Sequence, residues 1–365
     1  MIYVRCLFLS LSLFVLLGNA RADCVLSQHE LSQTNRVFAT RDGLSYHLFR
    51  KDVVPNSAQV HSICNYNDIV ISTCTANGFH PVLATAGCKK PTTPKVEEVN
   101  DASCPYKMYR VGYSLENLAF LEIYRSCYNP DKVQAHFTIY MAQTSTSAVE
   151  RPMHFNTDRI ISGAAAGSFQ NTQIFSRYNA LLGHQTYFAF STNMFDRGHL
   201  TPSLDFAFKA SRGQTNKYIN LIPQFKTINR GNWKTIENWV RRQLSERHFD
   251  TLKVCTGVLG VLELHSSTYR ADIPMFLMDN NKNPIPKWIY KIVSHISGRK
   301  FVFLTYNNAH ATTRPTGQFV SNVCRELPCQ NLGLNVRNEG TAGYTFCCEP
   351  HDFIARNLPR LTGIC

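Results

Sequence analysis

The sequence predicts an α+β fold, with a mostly antiparallel central sheet and one long helix, preceded by a small disulfide-rich β module. Three observations carry this. Short runs of β-branched and aromatic residues recur along the chain, one stretch places apolar residues at helical spacing, and twelve cysteines follow an apolar leader. The 365 residues are 44% hydrophobic and 17% charged, which supports a sizeable core and excludes a disordered protein.

The leader comes first. Arg5 supplies a positive start, Leu7 to Gly18 is apolar, and Ala20-Arg21-Ala22 has the small-x-small pattern of a cleavage site. Residues 1–22 therefore read as an export signal, the apolar run being shorter than the roughly 20 residues of a membrane span. No later segment is apolar enough to span, so the product is expected to be secreted and extracellular, with no membrane association. Cysteine use agrees. Cys24, Cys64, Cys74, Cys88, Cys104, Cys127, Cys255, Cys324, Cys329, Cys347, Cys348 and Cys365 remain after the leader, an even number that reads as up to six disulfides. No CxxC pair suggests zinc, and the adjacent Cys347 and Cys348 are expected to take different partners, because a vicinal disulfide is strained.

Residues 23–100 read as the small β module, with runs such as Val70-Ile71-Ser72-Thr73, ending in the polar, Pro-containing stretch Lys89 to Lys95 that reads as a linker. The main domain is placed at 101–365. Its expected strands are Phe137 to Met141, Thr186 to Phe190, Tyr218 to Ile222, Leu252 to Leu259, Trp288 to Ser294 and Lys300 to Tyr306. A helix is expected from about Gly231 to Arg247, where Trp233, Ile236, Val240 and Leu244 form one apolar stripe.

The formal net charge is +13, or +11 once Arg5 and Arg21 leave with the leader. A basic exported protein suits a polyanion, whether nucleic acid, a heparin-like glycan or an anionic surface. The motif Asp196-Arg197-Gly198-His199 narrows the choice. Phosphodiester hydrolysis needs a base to activate water, a cation to offset charge on the phosphoryl oxygens, and basic groups to hold the backbone. His199 titrates near neutrality and can serve as base. Arg197 can hold a phosphate through two hydrogen bonds. Gly198 is expected to let the backbone approach the substrate. Downstream come Asn220-Leu221-Ile222-Pro223-Gln224, then Asn229-Arg230-Gly231-Asn232-Trp233 with Glu237, then Arg241.

In these residues the chain resembles the DNA/RNA non-specific endonucleases of the Serratia nuclease and endonuclease G type, whose pattern is D-R-G-H, N-x-x-P-Q and N-x-G-x-W-x-x-x-E in that order. The similarity runs on through Cys255-Thr256-Gly257 and Ile285 to Lys291, covering most of 105–365. The cysteine-rich extension and the leader are most similar to secreted digestive nucleases of arthropods, including those that degrade double-stranded RNA. The resemblance implies a ββα-metal fold and a Mg²⁺-dependent endonuclease that cuts DNA and/or RNA, double-stranded forms included, to 5′-phosphate products. His199 is then the general base, Asn229 the one direct protein ligand of a single Mg²⁺ (Mn²⁺ able to substitute), and Glu237 holds a water on that ion. Eight residues of helix rise about 12 Å, so Asn229 and Glu237 cannot both ligate directly from one straight helix. Arg197 and Arg241 contact phosphate, and Arg151 is the candidate for a further arginine of the family, with Arg159 and Arg177 as alternatives. Asp196 is read as structural.

Thr201-Pro202 and Val258 depart from the family pattern without touching these roles. Trp233 reads as core, Trp239 as core or a base-stacking ring, and His154 and His184 could line the site. For Arg241 the competing reading is a surface pair with Glu237 one helical turn away. The alternative function is a catalytically silent nucleic-acid-binding protein on the same fold, against which an intact base and metal set argue; a glycan- or membrane-binding module leaves the ordered motif unexplained. No protein partner is signalled.

Overall fold

The computed structural model describes residues 22–27, 34–116, 118–143, 154–188 and 194–365. The leader up to residue 21, and Arg151 within 144–153, lie outside the described residues. Among those described, no helix is long and apolar enough to cross a membrane.

Nine strands form one antiparallel sheet. From one edge to the other these are Glu326–Leu327, Thr345–Cys348, Lys300–Tyr306, Pro286–Ser294, Thr251–Val261, Gln134–Gln143, Phe120–Asn129, Lys107–Ser114 and Pro94–Val99. The central strands are nearly continuous hydrophobic runs because both faces are covered. Thr251–Val261 buries Leu252, Val254, Cys255 and Val258, and its neighbour buries Ile289, Ile292 and Val293. The expected strands at 137–141, 252–259, 288–294 and 300–306 all fall here.

Two expected strands fail. Tyr218–Asn220 is a 3₁₀ turn, and the strand runs instead over Leu221–Phe225. The reason is local: Asn220 turns its amide onto the carbonyls of Thr201 and Thr215, a side-chain to backbone bond that competes with a ladder. Thr186, Tyr187 and Phe188 form no strand, Gln185 bonding to the backbone of Phe188 instead, and the last two residues of that expected strand lie outside those described.

A separate five-stranded antiparallel sheet holds Ser45–Leu48, Val37–Asp42, Gln59–Asn65, Asp68–Thr75 and Gly78–His80. Pro94–Val99 pairs with Lys107–Ser114 in the large sheet, and the last strand of the small sheet is Gly78–His80. The small sheet has its own apolar cluster of Cys24, Leu26, Phe38, Phe49, Val54, Val60, Cys74 and Leu83, completed by Ala207 and Phe208 from the main domain. Disulfides join Cys24 to Cys74, Cys104 to Cys127, Cys255 to Cys365, Cys324 to Cys348 and Cys329 to Cys347. Cys347 and Cys348 do take different partners; Cys64 and Cys88 carry free thiols, so five disulfides form among the described residues, within the expected limit of six.

Candidate active site

Two strands and a helix bring the motifs together. Phe195–His199 pairs antiparallel with Leu221–Phe225, with Asp196 opposite Gln224 and His199 opposite Leu221. The chain then turns through the short helix Lys226–Asn229 into the long helix Asn232–Ser245. Trp233, Ile236, Trp239, Val240 and Leu244 bury the apolar stripe against the large sheet, which leaves Lys234, Glu237 and Arg241 on one side of the helix. Gly198 has a different task from the one expected: a side chain there would stand 2.4 Å from Gln224 Oε1, so its role is to admit the buried Gln224 of the paired strand, not substrate.

Two adjoining cavities, of about 180 Å³ and about 270 Å³, share His199, Asn229 and Arg230. The smaller is completed by Pro202, Ser203, Leu204, Lys234, Glu237 and Arg241. The larger adds Phe155, Phe169, Phe195, Asp196 and Arg197. His199 Nε2 lies 2.9 Å from Asn216 Oδ1. Asn229 donates its Nδ2 to Asp196 Oδ2 at 2.9 Å, and Arg230 Nε reaches the same oxygen at 3.2 Å. Asp196 thus fixes which end of the Asn229 amide is spent, as well as tying the strand to the helix start.

The Arg197 guanidinium stands over Phe155, with Phe169 and Tyr218 close by, at 4.9, 6.0 and 5.9 Å from the three ring centroids. Flat rings on a guanidinium fix its plane without occupying its donors.

Behind the smaller cavity lies a buried charge network. Arg241 Nη1 bonds Asp205 Oδ1 at 2.9 Å, and the Tyr140 hydroxyl bonds Asp205 Oδ2 at 2.6 Å. Asp205, not Glu237, is therefore the ion-pair partner of Arg241, a half-buried guanidinium on a carboxylate with 2% exposure, in place of a surface i,i+4 pair. Lys291, fully buried on the sheet, donates to Thr256 Oγ1 at 2.7 Å and lies 5.1 Å from the Trp233 ring centre. Burial pulls its ammonium down to about 8, offset in part by Glu237 and Asp205. Glu237 opens only toward the cavity, and desolvation pushes its carboxyl up to about 7 against the pull of Lys291 and Arg241. An acid so perturbed in a cleft is a candidate for a functional position.

The structure thus gathers His199, Asn229, Glu237, Arg241 and Arg197. Arg177 is spent elsewhere, bonding Asp279 and the carbonyls of Phe276 and Met278, and Arg159 is an exposed residue at φ +60° that lines neither cavity. Trp239 is core like Trp233, its Nε1 bonded to the Leu332 carbonyl, so neither ring stacks bases. His154 and His184 line neither cavity. Asn216, Asp205, Arg230 and Lys234 were not anticipated. Arg230 stands inside the motif and could have been read from it; Asn216 and Asp205 carry no local signal.

Comparison with known proteins bears on the whole. The profile of the family described as DNA/RNA non-specific endonuclease matches residues 104–353. A salivary endonuclease of Lutzomyia longipalpis is 30% identical over 298 residues, spanning 80% of this chain and 70% of that protein. A salivary endonuclease of Culex quinquefasciatus is 25% identical over 311 residues, 82% of this chain and 78% of its own. Among solved structures, a chain of the EndoG/EndoGI complex overlays 51% of this chain and 72% of its own at 20% identity, with a TM-score of 0.37, too loose to bear on the site.

Proposed function

This chain belongs to the DNA/RNA non-specific endonuclease family and is a nuclease, a hydrolase of phosphodiester bonds; from that premise we propose that it is a secreted enzyme that uses Mg²⁺ and His199 to cut DNA and RNA to 5′-phosphate ends. The observation that carries this reading is the convergence of His199, Asn229 and Glu237 on one cavity. Two relatives are named as salivary proteins, and five disulfides suit an oxidising compartment, which supports export.

The donor set suits a hard cation. Asn229 spends its Nδ2 on Asp196, which leaves the carbonyl oxygen as its ligating end. Glu237 adds a half-buried carboxylate lining the cavity, and no cluster of three His, Cys, Asp or Glu offers another site among the described residues. Oxygen donors with few protein ligands fit Mg²⁺, which keeps most of its waters. Asn229 would hold it directly and Glu237 through water. Bound there, the ion would offset charge on the phosphoryl and leaving oxygens.

The residues of the chain supply the rest. The Asn216 side chain, 2.9 Å from His199 Nε2, orients the ring, and the His199 imidazole takes the proton of the attacking water. Arg197 and Arg241 flank this position from the two cavities and hold the phosphate, stabilising the charge that builds during in-line attack. Such contacts are to the backbone, so base preference is weak.

The test is incubation of purified protein with plasmid DNA and long RNA, with Mg²⁺ and with EDTA, beside His199→Ala. Cleavage with Mg²⁺ alone, to ends that accept label only after phosphatase treatment, is the expected result. Binding without cleavage, or an undiminished His199→Ala rate, overturns it.

A further inference from the structure

The segment that leaves the catalytic strand does not stay in the main domain. Pro202, Ser203 and Leu204 wall the smaller cavity. Asp205 then holds Arg241 and Tyr140. The ring of Phe206 packs on Tyr140 at 5.9 Å, and its carbonyl accepts from Arg212 Nε at 2.6 Å. Ala207 and Phe208 next enter the apolar cluster of the small sheet, where Phe208 stacks on Phe38 at 5.0 Å and 20° and meets Phe49 at 6.2 Å. Within three residues the backbone passes from the carboxylate that fixes Arg241 to the middle of a core closed by the Cys24–Cys74 disulfide. A second tie runs beside it: the half-buried Arg50 of the small module donates to the carbonyls of Glu122, Ile123 and Met141 on strands of the large sheet, Met141 being next to Tyr140.

We infer that the N-terminal module is a clamp on the active site, and that Phe208 is a positioning residue which, through Asp205, holds Arg241 in register with the phosphate. The inference rests on the reading of Arg241 as a phosphate contact. Three residues span at most about 10 Å, so a shift of the ring is passed to Asp205 with little chain to absorb it. Close-packed cores hold discrete arrangements instead of deforming smoothly. A catalytic group displaced by about 1 Å can lose up to about a hundredfold in rate. Asp205 cannot simply re-form its bonds elsewhere, because it is buried with Arg241 as its ion-pair partner among the described residues.

The experiment compares full-length Phe208→Ala, Arg241→Ala and the double variant for cleavage and for the salt dependence of substrate binding. Phe208→Ala is expected to lower kcat/KM about tenfold and to reduce the salt slope by about one phosphate contact, as Arg241→Ala does. The double variant should lose little more than Arg241→Ala alone, and Phe208→Leu should recover most of the loss. Phe353→Ala, a core deletion behind the sheet, should lower the melting temperature without moving either readout. If Phe208→Ala does not fold, Phe49→Leu loosens the same stack and enters the same cycle. Wild-type kcat/KM in the folded variant, losses that multiply in full, or an equal loss in Phe353→Ala each overturn the inference. A silent Arg241→Ala overturns it too, since nothing is left to act through. The nuclease reading itself falls only if wild-type protein does not cut or His199→Ala does so at full rate.

Discussion

On one face of the nine-stranded sheet Thr138, Tyr140, Thr256 and Lys291 look toward the long helix and the loop after the catalytic strand. On the other face the neighbouring residues Phe137, Gly257 and Tyr290 look toward the helix Pro350–Asn357, with Tyr290 5.7 Å from Phe353 and Cys255 tied to Cys365. Both faces use the same strands, and alternation separates them, apart from the bulge at His136. The front face buries a lysine and an aspartate and half-buries an arginine and a glutamate, each opposed by charge or a hydrogen bond. The back face buries rings and a disulfide that closes a sequence separation of 110 residues. The contrast teaches that on this sheet charge is held on the face beside the site, while the far face is held by rings and a disulfide.

The sharpest separation should come from His199→Ala. It removes the base and is expected to lower kcat by about a thousandfold, with the melting temperature unchanged; single-turnover cleavage and calorimetry read the two quantities. Phe353→Ala is the mirror case. It leaves a cavity behind the sheet and should destabilise by about 3–5 kcal/mol while kcat stays at the wild-type value below the transition. A large loss of kcat there would break the division between faces.

The pH dependence of stability provides a third separation, measured in EDTA. At a β-bulge in the Gln134–Gln143 strand His136, tilted against Tyr106 at 4.4 Å and lining a back-face cavity with Phe137 and Tyr290, is drawn down to about 4 by burial. Its folded form resists the proton, so stability is lost as pH falls from about 6.5 toward 4. Glu237 is raised to about 7 from an ordinary 4.5, so the folded form keeps its proton longer and stability falls as pH rises between those values. His136→Phe should flatten the first slope and Glu237→Gln the second, each by at most about 3 kcal/mol. Variants that tilt the profile the same way would contradict the assignment. The smallest effect belongs to Arg230→Ala. That exposed pair with Asp196 should contribute under about 1 kcal/mol to stability, while the salt slope of substrate binding falls by about one if Arg230 meets a phosphate.

Much of this was legible in the sequence. The helix was, because its apolar stripe has a period of its own, and Asn232–Ser245 lies within two residues of the expected bounds. The buried strands were, because continuous β-branched runs stay buried on both faces. The strand expected at Tyr218 failed because Asn220 supplies a side-chain alternative to the ladder, which composition does not reveal. The site divides in the same way. His199, Asn229 and Glu237 sit in short motifs whose chemistry is local. Asn216, which holds the His199 ring, sits in an unremarkable polar stretch seventeen residues away, and only the fold brings it there.

The sequence by itself determined the reaction class, the long helix and the separate partners of Cys347 and Cys348, since each depends on residue type and short spacing. The tertiary structure decided who pairs with whom. Arg241 is four residues from Glu237, yet its ion-pair partner is Asp205, thirty-six residues away in sequence. An exposed pair one helical turn apart gains little, whereas a buried carboxylate left without a cation is costly. That difference in burial exists only once the sheet, the loop and the helix have closed on one another.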